Sequence, residues 1–362
     1  MKLQTQVPLA KAENQIDYTS RLMLLGSCFV ENIGDKLSYY KFQILQNPFG
    51  ILFHPLSIEN LISRAIHQKQ YTEDEVFFLN DRWQSYDAHS DLSSLTKEGL
   101  LQNLNSGLLQ SQLQINSASH IVITLGTAWA YQLKESGKEV ANCHKVPQKA
   151  FGKQLLSIEK ISQSLKEIIN HIGAVNSEAE IIFTVSPVRH LKDGFVENQQ
   201  SKAHLITAVH QVLKKGKAVY FPSYELMMDE LRDYRFYAKD MVHPNDLAID
   251  YIWEKFKMVW ISETSYKTMD EVAAIQKGLS HRPFQPVAET RFNSSYLFIF
   301  LFAVTIAHAQ NLGEFKPKDD GYKSNKIGDG PKKIYISSFT INFEIYKEAV
   351  DEKKAGGFGR TI

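Results

Sequence analysis

The stretch LMLLGSCFVENIG, Leu22–Gly34, decides the reading of the chain. Its first half is an unbroken apolar run, as expected of a strand buried on both faces. The run ends on Gly26-Ser27-Cys28, and from Cys28 the apolar residues of CFVENIGDKLSYY recur at helical spacing. A buried strand that stops on a small polar residue beside a thiol has two explanations. The glycine can serve a tight turn. The serine or the cysteine can serve as a nucleophile.

The same alternation continues outward from that turn. HIVITLG (120–126), AEIIFTVSP (179–187) and AVYFPS (218–223) read as further buried strands. Helical patterns occupy HPLSIENLISRAIHQ (54–68), SSLTKEGLLQNLNSGLLQSQLQI (93–115), SIEKISQSLKEIINHI (157–172) and QQSKAHLITAVHQVLKK (199–215). NDLAIDYIWEKFKMVWIS (245–262) reads as the final helix, with Asn245 placed to cap it, as Ser157 caps the helix behind it. WAYQLKESGKEVANC (129–143) has two alternating segments about a Ser-Gly turn and predicts a hairpin. Strands alternating with helices predict an α/β domain, a mostly parallel sheet covered on both faces. Sites in such sheets gather at the C-terminal strand ends. Those ends here are Gly26-Ser27-Cys28, Gly126-Thr127 and Ser186-Pro187.

Composition narrows the function classes. The chain has 362 residues, enough for one large domain or two ordinary ones. Lys plus Arg is 41 against 40 Asp plus Glu, so no broad basic field exists to hold nucleic acid. The two cysteines, Cys28 and Cys143, cannot build a disulfide framework, and a reduced, cytoplasmic protein is the simpler reading. MKLQTQVPLAKAENQ at the start has no apolar core and is not expected to act as a secretory leader. The main domain is read as residues 1–290, without a membrane partner.

The remainder differs. SSYLFIFLFAVTIAHAQ (294–310) holds an apolar run shorter than the roughly 20 residues a bilayer span needs. Ala307-His308-Ala309 follows it, as a cleavage site follows the core of a signal peptide. Residues 291–309 therefore read as a signal-peptide-like segment at a fusion junction. Residues 310–362 read as the incomplete, partly disordered start of an unrelated secreted protein, with IYISSFTINFEIY (334–346) as its opening strand. The other reading is a buried helix followed by a polar tail.

The chemistry centres on YAKDMVHPND (237–246). Asp240 and His243 have the spacing D-x-x-H ahead of a long helix. The carboxylate can take a proton from one imidazole nitrogen, which fixes the tautomer and leaves the other nitrogen as a base. With a serine at a strand end, that completes a nucleophile, base and orienter. Cys28, the competing nucleophile, reads as a packing residue, because adjacent side chains in such a turn point apart. His190, Asp193 and His204 lack the tight spacing of a zinc site, and no Walker loop, H-E-x-x-H or G-x-S-x-G occurs. No metal and no cofactor is expected.

With these residues in place, the chain resembles the GSCFA family, a branch of the SGNH (GDSL-like) hydrolase superfamily. The first motif reads Gly26-Ser27-Cys28-Phe29-Val30, with valine for the final alanine. NPFGILFHP (47–55), TLGTAWAY (124–131), NCHKVPQKAF (142–151), TVSPVRHLKDGFVENQQSKAHL (184–205), DMVHPN (240–245) and HRPFQP (281–286) are similar to further family segments, so the resemblance covers about residues 3–290. It implies a three-layer α/β/α sandwich with a mostly parallel sheet of about five strands. It also implies Ser27 as nucleophile, His243 as general base and Asp240 as orienting carboxylate. The oxyanion hole would draw on the N–H groups of Ser27 and Gly50. The superfamily's third donor is an asparagine in a Gly-x-Asn block, and this chain reads Gly126-Thr127-Ala128 there, leaving Thr127 or Asn47 as substitutes. The implied activity is hydrolysis of a small acyl ester, or of O-acetyl groups on a carbohydrate. Acyl transfer, or a non-catalytic ligand-binding module on the same fold, are the alternatives.

Further residues are candidates for substrate contact. His144, beside Lys145, lies in a loop beyond the predicted hairpin that either covers a pocket or is simply solvated. Arg189 and His190 follow the strand end Ser186-Pro187, which makes them candidates to face the site; Arg189 could hold a carboxylate or phosphate, or make a structural ion pair. Asn198, Ser201 and Lys202, near the start of a helix, are weaker candidates.

Overall fold

In the computed structural model, which describes residues 4–214, 216, 218–280, 335–336 and 339–340, the apolar run becomes strand β1 (Arg21–Gly26) and the pattern behind it helix α1 (Cys28–Tyr39). Then come β2 (Gln43–Gln46), α2 (Pro55–Ile66), β3 (Phe77–Leu79), β4 (Arg82–Gln84) and α3 (Lys97–Ser117). β5 (His120–Leu125), β6 (Trp129–Leu133), β7 (Glu139–Val140), β8 (Phe151–Leu155) and α4 (Ile158–Val175) follow. β9 (Glu180–Val185), α5 (Phe195–Leu213), β10 (Val219–Tyr220), the short α6 (Ser223–Glu225), α7 (Asp246–Trp260) and α8 (Tyr266–Ser280) complete the order.

The main sheet has five strands in the order β10-β9-β5-β1-β2, and every neighbouring pair is parallel. β1 stands between the strand that follows it and β5, so the winding reverses between β1 and β5. In an open parallel sheet, the crevice outside the carboxyl ends at such a reversal is where ligands bind. Gly26 of β1 pairs level with Thr124 of β5, which sets Ser27 beside Gly126 and Thr127 at that crevice.

Strand periodicity divides the core. Met23 and Leu25 pack with Ile121, Ile123, Phe183 and Val185 beneath α2, α3, α4 and α5. Leu22 and Leu24 pack with Val122 and Ile182 beneath α1 and α7. Burial of each such side chain contributes about 1.5–3 kcal/mol, which is what holds the three layers together. Ser157 and Asn245 cap α4 and α7, accepting from the N–H groups of Lys160 and Ala248.

The predicted hairpin is present: β6 pairs antiparallel with β7, and β8 adds a third strand. Other elements depart from the sequence reading. β2 was not expected, because its polar ends and four residues give almost no period. The β3–β4 hairpin turns on Asn80 and Asp81, both at positive φ (52° and 58°), which suits a tight two-residue turn. The helix at 245–262 is not the last, since α8 follows; only Met269 of α8 is buried, so its apolar stripe is faint.

Residues Met1–Arg282 form one compact unit and Pro283–Ile362 a second. In the second, Tyr335–Ile336 pairs antiparallel with Phe339–Thr340, so the run expected as one strand folds back on itself. The signal-peptide-like segment 291–309 and most of 310–362 lie outside the described residues. Among the described residues no helix is long and apolar enough to cross a membrane.

Candidate active site

The site begins with a backbone constraint. Gly26 has φ +128°, and a Cβ there would stand 2.1 Å from the carbonyl oxygen of Thr124. Its N–H donates to Asn47 Oδ1 at 3.0 Å, while Asn47 Nδ2 donates to Glu31 at 3.1 Å. Asn47, itself at φ 39°, is thus a brace for the turn after β1, with both ends of its amide engaged.

Ser27 occupies the N-cap position of α1 (φ −72°, ψ 168°), yet its side chain makes no capping bond. It is fully buried, and its hydroxyl has no hydrogen-bond partner among the described residues. A buried hydroxyl left unpaired costs stability. Capping therefore does not account for this serine. A Cβ added to Gly126 would lie 3.0 Å from Ser27 Cβ and 3.1 Å from the ring of Phe53, so the ends of β1 and β5 touch at this point. Beside it, burial raises the Cys28 thiol above its ordinary value and Glu31 adds to the rise, outweighing the Lys202 charge, which disfavours a thiolate nucleophile.

Asp240 and His243 are paired. Asp240 Oδ1 accepts from the N–H groups of Val242 (2.9 Å) and His243 (3.0 Å), and Oδ2 meets His243 Nδ1 at 2.7 Å. Those bonds, the His243 N–H first, hold the Asp240 carboxyl down at about 2. An ionised carboxylate can only accept, so Nδ1 carries the proton and Nε2 is left as the basic nitrogen. Both side chains are about half exposed (49%).

The Asp240–His243 loop is tied to the end of β9 by Arg189. Its backbone N–H donates to Val242 O (3.1 Å), and Nη1 donates to Met241 O (3.0 Å). The guanidinium lies 5.4, 5.9 and 5.3 Å from the ring centres of Phe195, Tyr234 and Tyr237. The structure thus gives Arg189 a clamping role. Arg189→Ala should cost about 1–2 kcal/mol, the sum of one hydrogen bond and a partly exposed cation–π contact. Urea unfolding measures that cost, and amide exchange should accelerate at Met241, Val242 and His243.

His190 follows the clamp. Its N–H donates to Asn198 Oδ1 (2.8 Å), its ring stands edge-on to Phe53 (5.5 Å), and its Nε2 is buried without a partner among the described residues. Burial, and then the charges of Lys202 and His243, push it down to about 3, so it is neutral. Lys202 in turn donates from Nζ to Gly126 O and to Ser186 O, each at 2.7 Å. Contacts thus link Gly126 to Ser27, to Lys202 and to Phe53, and Phe53 to His190, while the Arg189 N–H reaches Val242 O beside His243. The Ser27 hydroxyl and the His243 ring are not hydrogen-bonded to each other.

The other candidates are engaged elsewhere. His144 is buried, meets Ser85 O through Nε2 at 2.7 Å, and packs on Phe77 and Tyr86. Thr127 Oγ1 accepts from the Trp129 N–H (3.1 Å) and shares a bond with Ser201 Oγ (3.0 Å). Gly50, at φ +66°, donates its N–H to Asn47 O at 2.7 Å, and Ser27 donates its own to Thr124 O at 3.0 Å. All four expected oxyanion donors are thus hydrogen-bonded within the fold.

Sequence reasoning underweighted one face of α5. Asn198, Ser201 and Lys202 are all buried there, where Leu205, Ala208 and Val212 continue as core. Polar residues at core-stripe positions were the signal that could have raised their rank. Among the described residues no group of three or more His, Cys, Asp or Glu side chains could hold a metal ion. A pocket of about 490 Å³ between α1 and α7, lined by Asp35, Tyr39, Asp250 and Trp253, includes none of the site residues.

A parallel, doubly wound sheet with a serine at its point of reversal and an Asp–His pair clamped to the end of β9 defines an α/β/α sandwich protein with one candidate site at the carboxyl edge. The chain belongs to the GSCFA family, whose model matches residues 21–256, from β1 into α7. Two similar solved structures are a carbohydrate esterase family 3 protein from Talaromyces cellulolyticus and an acetyl xylan esterase from the rumen bacterium Butyrivibrio proteoclasticus. The first is 9% identical with a TM-score of 0.32, over 70% of this chain and 99% of its own. The second is 9% identical with a TM-score of 0.34, over 74% of this chain and 66% of its own. No curated protein matches the chain.

Proposed function

We propose that the chain is a serine esterase acting on a small acyl ester, with O-acetyl groups on a carbohydrate as the favoured class. The observation that carries this reading is the Ser27 hydroxyl, buried and unpaired at the reversal point of the sheet. The Asp240–His243 pair, with its basic nitrogen left available, supports it. Ser27 Oγ attacks the acyl carbon, and its proton passes to His243 Nε2 while Asp240 holds the other nitrogen. The tetrahedral intermediate collapses, the alcohol leaves with the proton from His243, and water then releases the acyl group by the same route. An acceptor hydroxyl in place of water would make the reaction a transfer.

The test is a fluorophosphonate probe applied to the full-length chain, with the adduct located by peptide mass spectrometry. The expected result is a label on Ser27 that disappears in Ser27→Ala and in His243→Ala. One observation favours a second reading, a binding module on the same fold: the expected oxyanion donors are all hydrogen-bonded within the protein. A folded chain that takes no label would decide for that module.

A further inference from the structure

Lys202 is the unexplained group of the site. It is 1% exposed, and among the described residues no carboxylate pairs with it. A buried ammonium without a counter-ion is costly, and such groups concentrate at functional sites. Its Nζ is held by the carbonyls of Gly126 and Ser186, at the ends of β5 and β9. Those two bonds use two of the three N–H donors of an ammonium. The third has no hydrogen-bond acceptor among the described residues; the ring centre of Tyr224 lies 5.8 Å from Nζ.

The surroundings give that donor a direction of use. Gly126, whose carbonyl Lys202 holds, is the residue against which Ser27 Cβ packs. Ser27 Oγ is buried and unpaired in the same neighbourhood. The N–H groups of Ser27 and Gly50 and the side chains of Asn47 and Thr127 are all committed to the fold. The Arg189 guanidinium is committed to Met241 O. An oxyanion formed on Ser27 therefore needs a donor from elsewhere, and Lys202 is a buried cation with an N–H to spare.

We propose that Lys202 is a catalytic residue of this site, its third N–H donating to the oxyanion formed when Ser27 adds to an acyl carbonyl, in the place an asparagine holds in the wider superfamily. The inference rests on the esterase reading above. In the step, the Oγ–C bond forms as the Ser27 proton moves to His243 Nε2. The carbonyl π pair moves onto oxygen, where the ammonium meets it. On collapse the pair returns, the C–O bond to the alcohol breaks, and the alcohol takes the proton from His243. Lys202 neither gains nor loses a proton.

The experiment measures the second-order rate of fluorophosphonate labelling of Ser27 in the full-length chain, in Lys202→Met and in Lys202→Gln, alongside thermal unfolding. Loss of one oxyanion donor typically costs about 10²–10³ in rate, so Lys202→Met should label about 100-fold more slowly. Lys202→Gln, which keeps a neutral N–H donor, should recover about tenfold of that loss. A merely structural lysine would instead give rates that follow the unfolding temperature. A folded Lys202→Met that labels at the wild-type rate overturns the proposal and leaves the esterase reading standing. A wild-type chain that takes no label overturns both. A measurement without any variant gives a further check. Burial lowers Lys202 to about 7, while the Cys28 charge works the other way; His190 is neutral, and the Tyr224 ring that faces Nζ is raised by burial above its ordinary value and so is neutral there too. Labelling of the wild-type chain should therefore slow as pH rises through about 7 and the ammonium is lost, since this rate reports the free enzyme. A rate that climbs steadily to pH 9 overturns the role of the ammonium even if both variants fail to fold.

Discussion

Asp240→Asn is expected to slow labelling of Ser27 by about 10⁴-fold with the fold intact, the size of effect such a change has in a Ser-His-Asp triad. The cause is a reversed donor. In the native loop Oδ1 accepts two backbone N–H groups and Oδ2 accepts the Nδ1 proton of His243. An asparagine keeps its carbonyl oxygen on the two backbone N–H groups, so its NH₂ must face Nδ1. The imidazole then has to accept at Nδ1 and carry its proton on Nε2, the nitrogen that should take the Ser27 proton. The variant should therefore fold, show an unchanged circular dichroism spectrum and lack the base. A loss of less than tenfold would remove Asp240 from the mechanism. The carboxyl is held at about 2, below its ordinary 3.8. Its contribution to stability is thus complete above pH 3.8 and is lost as pH falls through about 2. Any acid limb between pH 7 and 4 belongs to another group.

The parts of this site that could be read from the sequence were those with local patterns. The apolar run before Gly26, the D-x-x-H spacing and the capping residues Ser157 and Asn245 each depend on near neighbours, and the structure has each where expected. What escaped depends on contacts far along the chain. Lys202 matters because α5 brings it to the carbonyl of Gly126, a partner that no spacing in the sequence reveals. Arg189 has the composition of an anion-binding residue, yet its guanidinium is spent on Met241 O and a cage of three rings supplied by two segments. Asn47 and Thr127 had the right chemistry for an oxyanion hole, but the turn after β1 and the start of β6 use their polar atoms first. β2 and α8 escaped for a different reason. Each is anchored by tertiary packing on a short or weakly patterned segment, so local periodicity carries little of their information.

Gly26→Ala should be strongly destabilising, and its cost can be built from two independent terms. At φ +128° an L residue is strained, typically by about 1–3 kcal/mol. The added Cβ would also stand 2.1 Å from Thr124 O and 2.9 Å from Thr124 C, and these are backbone atoms of the central strand β5. Backbone in a paired strand cannot swing aside as a side-chain tip can, so overpacking adds about 1–3 kcal/mol more. The sum, about 2–6 kcal/mol, is a large part of the 5–15 kcal/mol typical of a folded domain. Two other glycines separate the terms. Gly137 has φ +70° with open space where a Cβ would go, so Gly137→Ala should show the strain alone, about 1 kcal/mol. Gly173 lies in α4 with open space and ordinary helical backbone, so Gly173→Ala should stabilise by about 0.5–1 kcal/mol. Urea unfolding followed by tryptophan fluorescence reads all three, since Trp83, Trp129, Trp253 and Trp260 all lie in the Met1–Arg282 unit. If Gly26→Ala cost no more than Gly137→Ala, β1 and β5 would not be in contact at Thr124. Ser27, whose N–H reaches that same carbonyl, would then not be fixed at the reversal point. The stability of this one glycine position therefore tests the placement of the proposed nucleophile without any substrate.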